Sequence, residues 1–472
     1  MKDFEKLILA GCLAFALAAC SSAASSAPAA SSAAEEETAE EETKEEETKE
    51  EETAEEETKE EETSEETGEG LVITGAYSAH IKGYDWGCGV NEVILNLDAP
   101  LDEIKAEDFK VVETKQATDW AAEGFPVIEA EFERKITGVE WVPESNTVVL
   151  QLYCNPNEGS PLLYTMSTGY NTWCDPYYLT ITMADGAQLT SDGQPVAALD
   201  IDTKIDITSM PTSVEQFSTD EYTAADGTVY KYGYYEPEGK DAKTLFVWLH
   251  GAGEGGTEKT DPRIIYLANR ADAFACDEFQ QIVGRAFVLE PQCPTFWLDE
   301  KGDGTMTNEH GGSIYTESLV ELINWYKGET GAEKVVIAGD SNGGFMTMNL
   351  AINNPEVADA YIPICEAYKD EYISDDEITE LAKLPMFFVY SLDDPTVDPT
   401  VYEQPTIERL KAAGAANLHV STTEHVIGYV DEDDPEHEYS GHWSWIYFQN
   451  NQSKCVDEDG ITAWEWIAEI VK

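Results

Sequence analysis

Apolar strands alternate with amphipathic helices along the second half of the chain, and this alternation limits the possible folds more than any other feature. Strands such as Leu245–Leu249 and Val335–Ala338 are continuously apolar, and apolar residues recur at helical spacing over Tyr315–Tyr326. Strands of this kind are buried on both faces, so the pattern predicts a mostly parallel sheet covered by helices. Further strands are expected at 286–290, 360–364, 386–390 and 418–421, and further helices at 343–353 and 405–413.

A Gly-x-Ser-x-Gly motif, Gly339–Gly343, follows the strand Val335–Ala338 directly and begins a predicted helix. The motif alone occurs by chance in many chains, but the strand–turn–helix context is that of a nucleophile elbow. Such a turn is too tight for side chains two residues before and after the serine. We therefore predict that Ser341 is a nucleophile whose hydroxyl lies above the carboxyl edge of the sheet.

A second glycine turn, His250-Gly-Ala-Gly253, ends the strand Leu245–Leu249. An oxyanion hole needs one backbone N–H from the residue after the nucleophile and another from a loop after an earlier strand. We assign these donors to the N–H groups of Asn342 and Ala252. His250 is interpreted as a residue that shapes the loop.

The acid of a Ser–His–acid triad in this strand order should follow a later strand. The strand at 386–390 leads into Ser391-Leu-Asp-Asp-Pro-Thr-Val397, and we favour Asp394 because Asp-x-x-Val after a strand is a recurrent acid turn. Asp393 remains an alternative. Both residues also suit an ordinary turn before proline.

The base should be a histidine further along the chain. His419 falls within a predicted strand and His437 within an acidic loop, whereas His442 follows Gly441 and precedes an aromatic helix. We choose His442, which would take the Ser341 proton and return it to the leaving group.

No catalytic metal and no cofactor are predicted. His437-Glu-Tyr-Ser-Gly-His442 is one residue too long for a zinc His-Glu-x-x-His helix, and Gly441 disfavours a helix there. The acidic run at 431–434 lacks the glycine of a calcium loop.

The first half of the chain has a different texture. Alternating, β-branched segments separated by turn residues predict about seven strands over 71–208 and a β-sandwich. The segments are 71–74, 90–97, 109–112, 139–142, 147–153, 178–182 and 201–207. Aromatic residues such as Tyr170 and Trp173 suit either a core or a platform for sugar binding, and the core is the default assignment. The run from Met210 to Ser213 marks a domain boundary, which we place between residues 212 and 213.

The N-terminus is predicted to be a signal sequence. Lys2 and Lys6 flank a short n-region, and the apolar run Leu7–Ala19 follows it and leads into Leu-Ala-Ala-Cys20. This ending resembles the lipobox of bacterial lipoproteins, which implies loss of residues 1–19, acylation of Cys20 and anchoring to the outer face of a membrane. The alternative is an ordinary secretory signal with a chance cysteine.

Residues 20–70 contain a Ser/Ala run and then an acidic repeat. The stretch 35–70 holds 21 Glu and three Lys, and no apolar stripe that could pack. We predict a disordered, self-repelling tether that could reach at most about 165 Å over fifty residues. With a net charge of -66, the chain is also expected not to bind nucleic acid.

Seven cysteines follow Cys20 without short regular spacing, so neither a disulfide framework nor a zinc site is predicted. One or two bridges remain open, and Cys154–Cys174 is the first candidate.

Several stretches of the second half resemble polyhydroxybutyrate-depolymerase-like and feruloyl-esterase-like bacterial esterases. They are Leu249–Gly256, Glu290–Pro294 with Trp297, Gly339–Gly344, Gly441–Trp445 and Asn450–Asn451. The stretch 80–210, with Gly83–Gly87 and Phe109–Val111, resembles the immunoglobulin-like module that precedes some of these enzymes. The resemblance implies an α/β-hydrolase fold and supports Ser341, Asp394 and His442. Asp340 departs from the family pattern, and we expect it to alter the mouth of the pocket.

The sequence therefore predicts four parts: a signal peptide (1–19), a tether (20–70), an immunoglobulin-like β-sandwich (71–212) and an α/β-hydrolase domain (213–472). The expected activity is hydrolysis of small or carbohydrate-linked acyl esters outside the cell, with membrane contact only through the lipid anchor. A serine peptidase of the prolyl-oligopeptidase kind and a non-catalytic surface binding lipoprotein are the alternatives. Homo-oligomerisation is left open.

Overall fold

The structure is a computed structural model that describes residues 70–239, 242–256, 260–456 and 460–472. The predicted signal peptide, Cys20 and the acidic tether up to residue 69 lie outside the described residues. In the described part of the chain, no helix is both long and apolar enough to cross a membrane.

Eleven strands form the fully described stretch Leu71–Asp202, here called the N-terminal β unit. They are β1 (Leu71–Tyr84), β2 (Gly87–Leu97), β3 (Phe109–Thr118), β4 (Val127–Arg134), β5 (Ile136–Val142), β6 (Thr147–Leu152), β7 (Leu162–Tyr164), β8 (Asn171–Trp173), β9 (Tyr177–Met183), β10 (Thr190–Ser191) and β11 (Gln194–Asp202). One sheet has the order β10-β11-β1-β2-β6-β5, a second has the order β4-β3-β9, and β7 and β8 form a separate hairpin.

The two larger sheets bury a common apolar core. Val93 and Leu95 of β2, Leu150 of β6, Val111 of β3 and Leu179 of β9 belong to one cluster and have no exposed surface. Val93 and Leu95 lie two apart along β2, as residues on one face of a strand do. Two sheets therefore pack face to face, and the immunoglobulin-like assignment stays a prediction.

The predicted strands of this unit differ from the observed ones where the sequence is polar or the strand is short. β4 was not predicted because its side chains are mostly exposed, and β7 and β8 have only three residues each. The segment predicted as one strand over 201–207 ends as a strand at Asp202. Asp206 then accepts the Thr208 N–H and caps a short 3-10 turn.

The candidate Cys154–Cys174 bridge is absent, because all seven cysteines among the described residues are free thiols. The Cys154 sulfur lies 3.3 Å from the Val90 carbonyl oxygen, and the Cys174 sulfur lies 3.4 Å from that of Gln116. The two side chains thus make separate contacts with neighbouring backbone.

The rest of the chain, Ser218–Lys472, is here called the C-terminal unit. Its strands are β12 (Ser218–Thr223), β13 (Val229–Tyr235), β14 (Thr244–Leu249), β15 (Ala286–Gln292), β16 (Lys334–Asp340), β17 (Ala360–Ile364), β18 (Met386–Ser391), β19 (Leu418–Thr423), β20 (Val426–Gly428) and β21 (His437–Tyr439). Its described helices are α1 (Arg263–Ala268), α2 (Asp277–Val283), α3 (Thr316–Thr330), α4 (Asn342–Asn353), α5 (Asp375–Leu381), α6 (Glu403–Ala412), α7 (Trp445–Gln449) and α8 (Ala463–Val471).

Eight of these strands form one sheet in the order β12-β13-β15-β14-β16-β17-β18-β19. Six neighbouring strands pair in parallel, in the order β15-β14-β16-β17-β18-β19. β12 and β13 form an antiparallel edge. All side chains of β14 and β18 are buried, as expected for strands covered on both faces. β12 and β13 were not predicted, since β12 consists of polar, largely exposed residues.

The two units meet closely. Asp85, in the turn between β1 and β2, accepts hydrogen bonds from Arg270 at 2.9 Å and from Asn450 at 3.0 Å. The sequence between the units also packs on β1, where Thr212 bridges to Ile81. The predicted boundary between residues 212 and 213 falls between the end of β11 and the start of β12, and it stays a prediction.

Candidate active site

Ser341 lies in the turn between β16 and α4, with φ 53° and ψ -109°. The structure shows why a side chain does not fit at Gly339 or Gly343. A Cβ on Gly339 would lie 2.6 Å from the Gly343 carbonyl oxygen, and one on Gly343 would lie 1.8 Å from that of Leu249. The strained φ of Ser341 is thus held by backbone that approaches too closely for any side chain.

The hydroxyl of Ser341 meets the two residues chosen for it from the sequence. His442 Nε2 lies 2.9 Å from Ser341 Oγ, and His442 Nδ1 lies 2.8 Å from Asp394 Oδ2. The other oxygen of Asp394 accepts the N–H groups of Thr396 and Val397 at 2.8 and 2.9 Å. This geometry allows an Nδ1–H to donate to the carboxylate while Nε2 accepts the serine proton.

Two close contacts position His442, one at its ring and one in the loop that carries it. Trp445 lies edge-on to its ring, with ring centroids 5.6 Å apart. A Cβ on Gly441 would lie 2.1 Å from Asp393 Oδ1, so the loop that carries the histidine runs directly against the loop that carries the acid. The glycine therefore permits the approach that brings His442 to Asp394.

Asp393, the alternative acid, has different partners. Its oxygens accept from Ser391 Oγ and from His425 Nδ1, the latter at 2.8 Å. His425 is exposed and lies on the turn between β19 and β20. The structure thus brings Asp394 to His442 and directs Asp393 away from it.

The other histidines have structural contacts. His250 is buried; its Nδ1 lies 2.6 Å from the Gly251 carbonyl oxygen, and its Nε2 accepts the Cys293 N–H at 2.9 Å. Burial lowers the pKa of His250 to about 4, so the ring is neutral and ties its loop to the chain after β15. His419 stacks on Phe387, and His437 lies in β21 beside Asp434.

The two residues assigned to the oxyanion hole lie at neighbouring chain turns. Asn342 is the first residue of α4, and Ala252 begins a short 3-10 turn after β14. The close contact between Gly343 and the Leu249 carbonyl brings these turns together. Neither N–H donates to another group of the described chain. Both are therefore free to donate to a ligand oxygen.

Asp340, which was expected to alter the mouth of the pocket, has a fully buried side chain beneath the loop at 251–254. Burial, and then the neighbouring Glu254 carboxylate, raise the pKa of Asp340 well above its usual range. Glu254 is also buried, and burial raises its pKa to about 7.

Sequence reasoning gave no role to Glu254 or to the residue that binds it, Asn171. The Asn171 amide, on β8 of the N-terminal β unit, donates to Glu254 Oε1 at 3.1 Å. A charged residue enclosed by glycines, as in Gly253-Glu-Gly255, is a signal that could have pointed to Glu254. Nothing local to Asn171 indicates its partner.

His437 and His442, the two histidines of the segment that is one residue too long for a zinc helix, lie in different elements, His437 in β21 and His442 in a separate turn. Among the described residues, one group has donor atoms close enough for a cation: Asp393, His425 and Glu438, within 4.8 Å of one another. All three side chains are exposed, and the contact between Asp393 and His425 is an ordinary surface ion pair.

Several solved structures resemble this chain. A protein described as a thermostable esterase is 21% identical with a TM-score of 0.61, and the match covers 84% of this chain and 99% of that chain. A ferulic acid esterase (12% identity, TM-score 0.38, 54% and 98% covered) and an esterase of Pyrobaculum calidifontis (14%, 0.34, 55% and 85%) are also similar. No protein-family model matches the sequence, and no curated protein matches it.

The first of these likenesses establishes the fold. It covers far more of the chain than residues 213–472, so it extends into the N-terminal β unit. Together with the sheet order and the β16–α4 turn, it identifies the C-terminal unit as an α/β-hydrolase-like fold.

Gly343→Ala tests whether the elbow depends on the contact with β14. Alanine normally favours a helix, but its Cβ would lie 1.8 Å from the Leu249 carbonyl oxygen, and a central strand cannot yield. We expect the free energy of unfolding to fall by about 3 kcal/mol or more, measured by urea denaturation. Gly328→Ala, in α3 where nothing lies within 4 Å, should instead raise it by about 0.5–1 kcal/mol. Equal stability of the Gly343→Ala variant and the wild type would contradict this account.

Proposed function

We propose that this chain is an exported carboxylic-ester hydrolase that works through an acyl-enzyme on Ser341. The observation that carries the proposal is the hydrogen-bonded series Ser341–His442–Asp394 on a nucleophile elbow. The three side chains come from three separate loops at the carboxyl edge of one parallel sheet. Esterase is also the activity named for the solved structures that resemble the chain.

The proposed reaction begins with attack of Ser341 Oγ on the ester carbonyl carbon, while His442 Nε2 takes the hydroxyl proton. The carbonyl oxygen gains negative charge, which the N–H groups of Ala252 and Asn342 stabilise. The C–O bond to the alcohol then breaks, and His442 gives its proton to the leaving oxygen. The acyl group remains on Ser341 as an ester.

Water completes the cycle by the same route. His442 removes a proton from a water molecule, whose oxygen attacks the acyl carbon, and the Ser341 oxygen leaves and recovers the proton. Asp394 keeps the Nδ1–H side of the ring directed toward itself and stabilises the imidazolium that forms in each half. Its own fixed orientation comes from the N–H groups of Thr396 and Val397.

The substrate class that we propose is a small or carbohydrate-linked acyl ester outside the cell. Support comes from the family resemblance of the sequence motifs and from the ester-cleaving activity named for similar structures. A panel of acetyl, butyryl and feruloyl esters measures the acyl preference directly.

Ser341→Ala and Asp394→Asn test the proposed function. The purified protein should cleave p-nitrophenyl acetate or butyrate. Loss of the nucleophile should lower kcat by about 10⁴–10⁶-fold, and Asp394→Asn by about 10⁴-fold because the wrong imidazole tautomer is held. Initial rates at saturating ester measure both effects.

Asp393→Asn is the matched control, since it changes the adjacent carboxylate that contacts His425 instead of His442. We expect its kcat to remain within about threefold of wild type. Equal ester turnover by wild type and Ser341→Ala would exclude the proposal. Faster cleavage of peptides than of esters would favour the serine-peptidase alternative, and no turnover of either would favour a surface binding protein.

We also propose that Cys20 carries a lipid anchor on the outer face of a membrane. Two or more acyl chains bind a protein stably to a bilayer. A chain expressed with its own N-terminus in a bacterial host should fractionate with membranes, and Cys20→Ser should release it. Cys12→Ser, within the apolar run of the predicted signal, is the control and should leave fractionation unchanged. Membrane retention of Cys20→Ser would show that acylation there is not the anchor.

A further inference from the structure

A hairpin of the N-terminal β unit lies on the loop that carries Ala252. Tyr170, just before β8, stacks on Phe296 of the C-terminal unit with ring centroids 4.8 Å apart. Trp173, at the end of β8, donates its indole N–H to Asp261. Asn171 lies between these two anchors and donates its amide to Glu254. The hairpin is thus fixed on both sides of Asn171, which lowers the entropy cost of holding that amide in place.

The glycines of the loop at 251–256 match this contact. A Cβ on Gly253 would lie 2.6 Å from the Asn171 amide nitrogen, and one on Gly256 would lie 3.0 Å from the Tyr170 ring. A Cβ on Gly251 would lie 2.9 Å from Asp340 Oδ2 and 3.3 Å from Glu254 Oε2. The loop therefore lacks side chains where the hairpin covers it on one side and where two carboxyl groups adjoin it on the other.

The carboxyl groups of Asp340, beneath the loop, and of Glu254, within it, are both buried without a neighbouring cation. Among the described residues, no Lys or Arg acts on Asp340 or Glu254, and the buried Cys365 thiol also lies near Asp340. Two adjoining carboxylates cannot both be charged in such a site, so the pair holds a proton. The Gly251 N–H faces Asp340. Neither oxygen of Asp340 has a hydrogen-bond partner among the described residues, and Glu254 is the carboxyl group that acts electrostatically on it.

We propose that Asn171, Glu254 and Asp340 form a chain of positioning residues that holds the Ala252 loop against the Ser341 turn. Asn171 orients Glu254, Glu254 shares a proton with Asp340, and Asp340 directly precedes Ser341. The N-terminal β unit thereby completes the oxyanion site of the neighbouring unit and determines how well it stabilises the transition state. This inference rests on the proposed ester hydrolysis at Ser341.

Asn171→Ala tests the proposed series of positioning residues. Removal of the amide leaves Glu254 without the Asn171 donor and loosens the loop. The Ala252 N–H of this loop matters most when negative charge develops on the substrate oxygen. We expect kcat for p-nitrophenyl butyrate to fall about tenfold with KM changed less than about threefold. A change confined to KM, or no change in kcat, would overturn the proposal.

Thr172→Val is the matched control on the same strand. Its hydroxyl lies 3.4 Å from the Leu163 carbonyl oxygen within the hairpin and does not face the C-terminal unit's loop. We expect its kcat to match that of the wild type. A decrease in kcat equal to that of Asn171→Ala would show that general loosening of the hairpin is responsible, which would also overturn the proposal.

Amide substitutions separate hydrogen bonding from packing. Glu254→Gln and Asp340→Asn each keep an N–H donor between the two side chains and remove the titratable proton. Both variants should retain kcat within about threefold of wild type. Glu254→Ala, which has no such donor, should lower kcat about tenfold. Loss of activity in Glu254→Gln equal to that in Glu254→Ala would contradict the proposed bonding.

If Ser341→Ala instead keeps wild-type turnover, the proposed function fails. Inactive Ser341→Ala with unaffected Asn171→Ala rejects only this further inference.

The stability of Glu254→Gln gives a readout independent of turnover. The pKa of Glu254 is raised to about 7 in the folded chain and is near 4.3 when unfolded, so the wild type binds more protons folded than unfolded between these values. The wild-type Tm should therefore fall relative to that of Glu254→Gln as pH rises from about 4 to about 7. A Tm difference independent of pH would show that Glu254 is not protonated in the fold.

Discussion

The parallel pairing of β14 with β16 is the contact on which the rest of the site depends. Leu249 lies beside Gly339 in this register, so the Ala252 turn and the Ser341 turn leave the sheet at the same level. The Gly343 backbone then rests on the Leu249 carbonyl. A slip of one residue would reverse every side chain of the strand and move the two turns apart. β18 extends the same edge and delivers Asp394 to His442.

The acidity of the chain has a counterpart in its interior. With 94 Asp and Glu against 28 Lys and Arg, the chain has too few cations to pair with every carboxyl group. Burial raises the pKa of several carboxyl groups well above the usual range, because a buried charge without a cation is costly. They include Asp340, Glu290, Glu366 and Glu403. Asp394 differs because two backbone N–H groups and His442 bind it.

The sequence predicted the parts of the site that depend on local order. Ser341, Asp394 and His442 could be chosen because each follows a recognisable strand or turn, and parallel strands bring their carboxyl ends to one edge. The alternation of apolar segments likewise predicted the central strands of the C-terminal unit. Short or exposed strands such as β7, β8 and β12 escaped because they bury too little apolar surface to leave a periodic signal.

Contacts between the units could not be predicted for a related reason. Asn171 precedes Glu254 by more than eighty residues, and neither residue's neighbours indicate the other. Asp340 was expected to alter the pocket mouth, and its burial results from the way the loop at 251–254 folds over it, which no linear pattern contains. The default assignment of Tyr170 to a core was correct in burial, yet the ring stacks on the other unit.

The central claim is that Ser341 is an activated nucleophile. Reaction of the protein with a fluorophosphonate, followed by proteolysis and mass spectrometry of the peptides, tests it directly. An activated serine forms a stable covalent phosphonyl ester, so we expect a single adduct on the Ser341 hydroxyl, lost when His442 is replaced by alanine. An unlabelled protein, or an adduct on a different serine, would contradict the account.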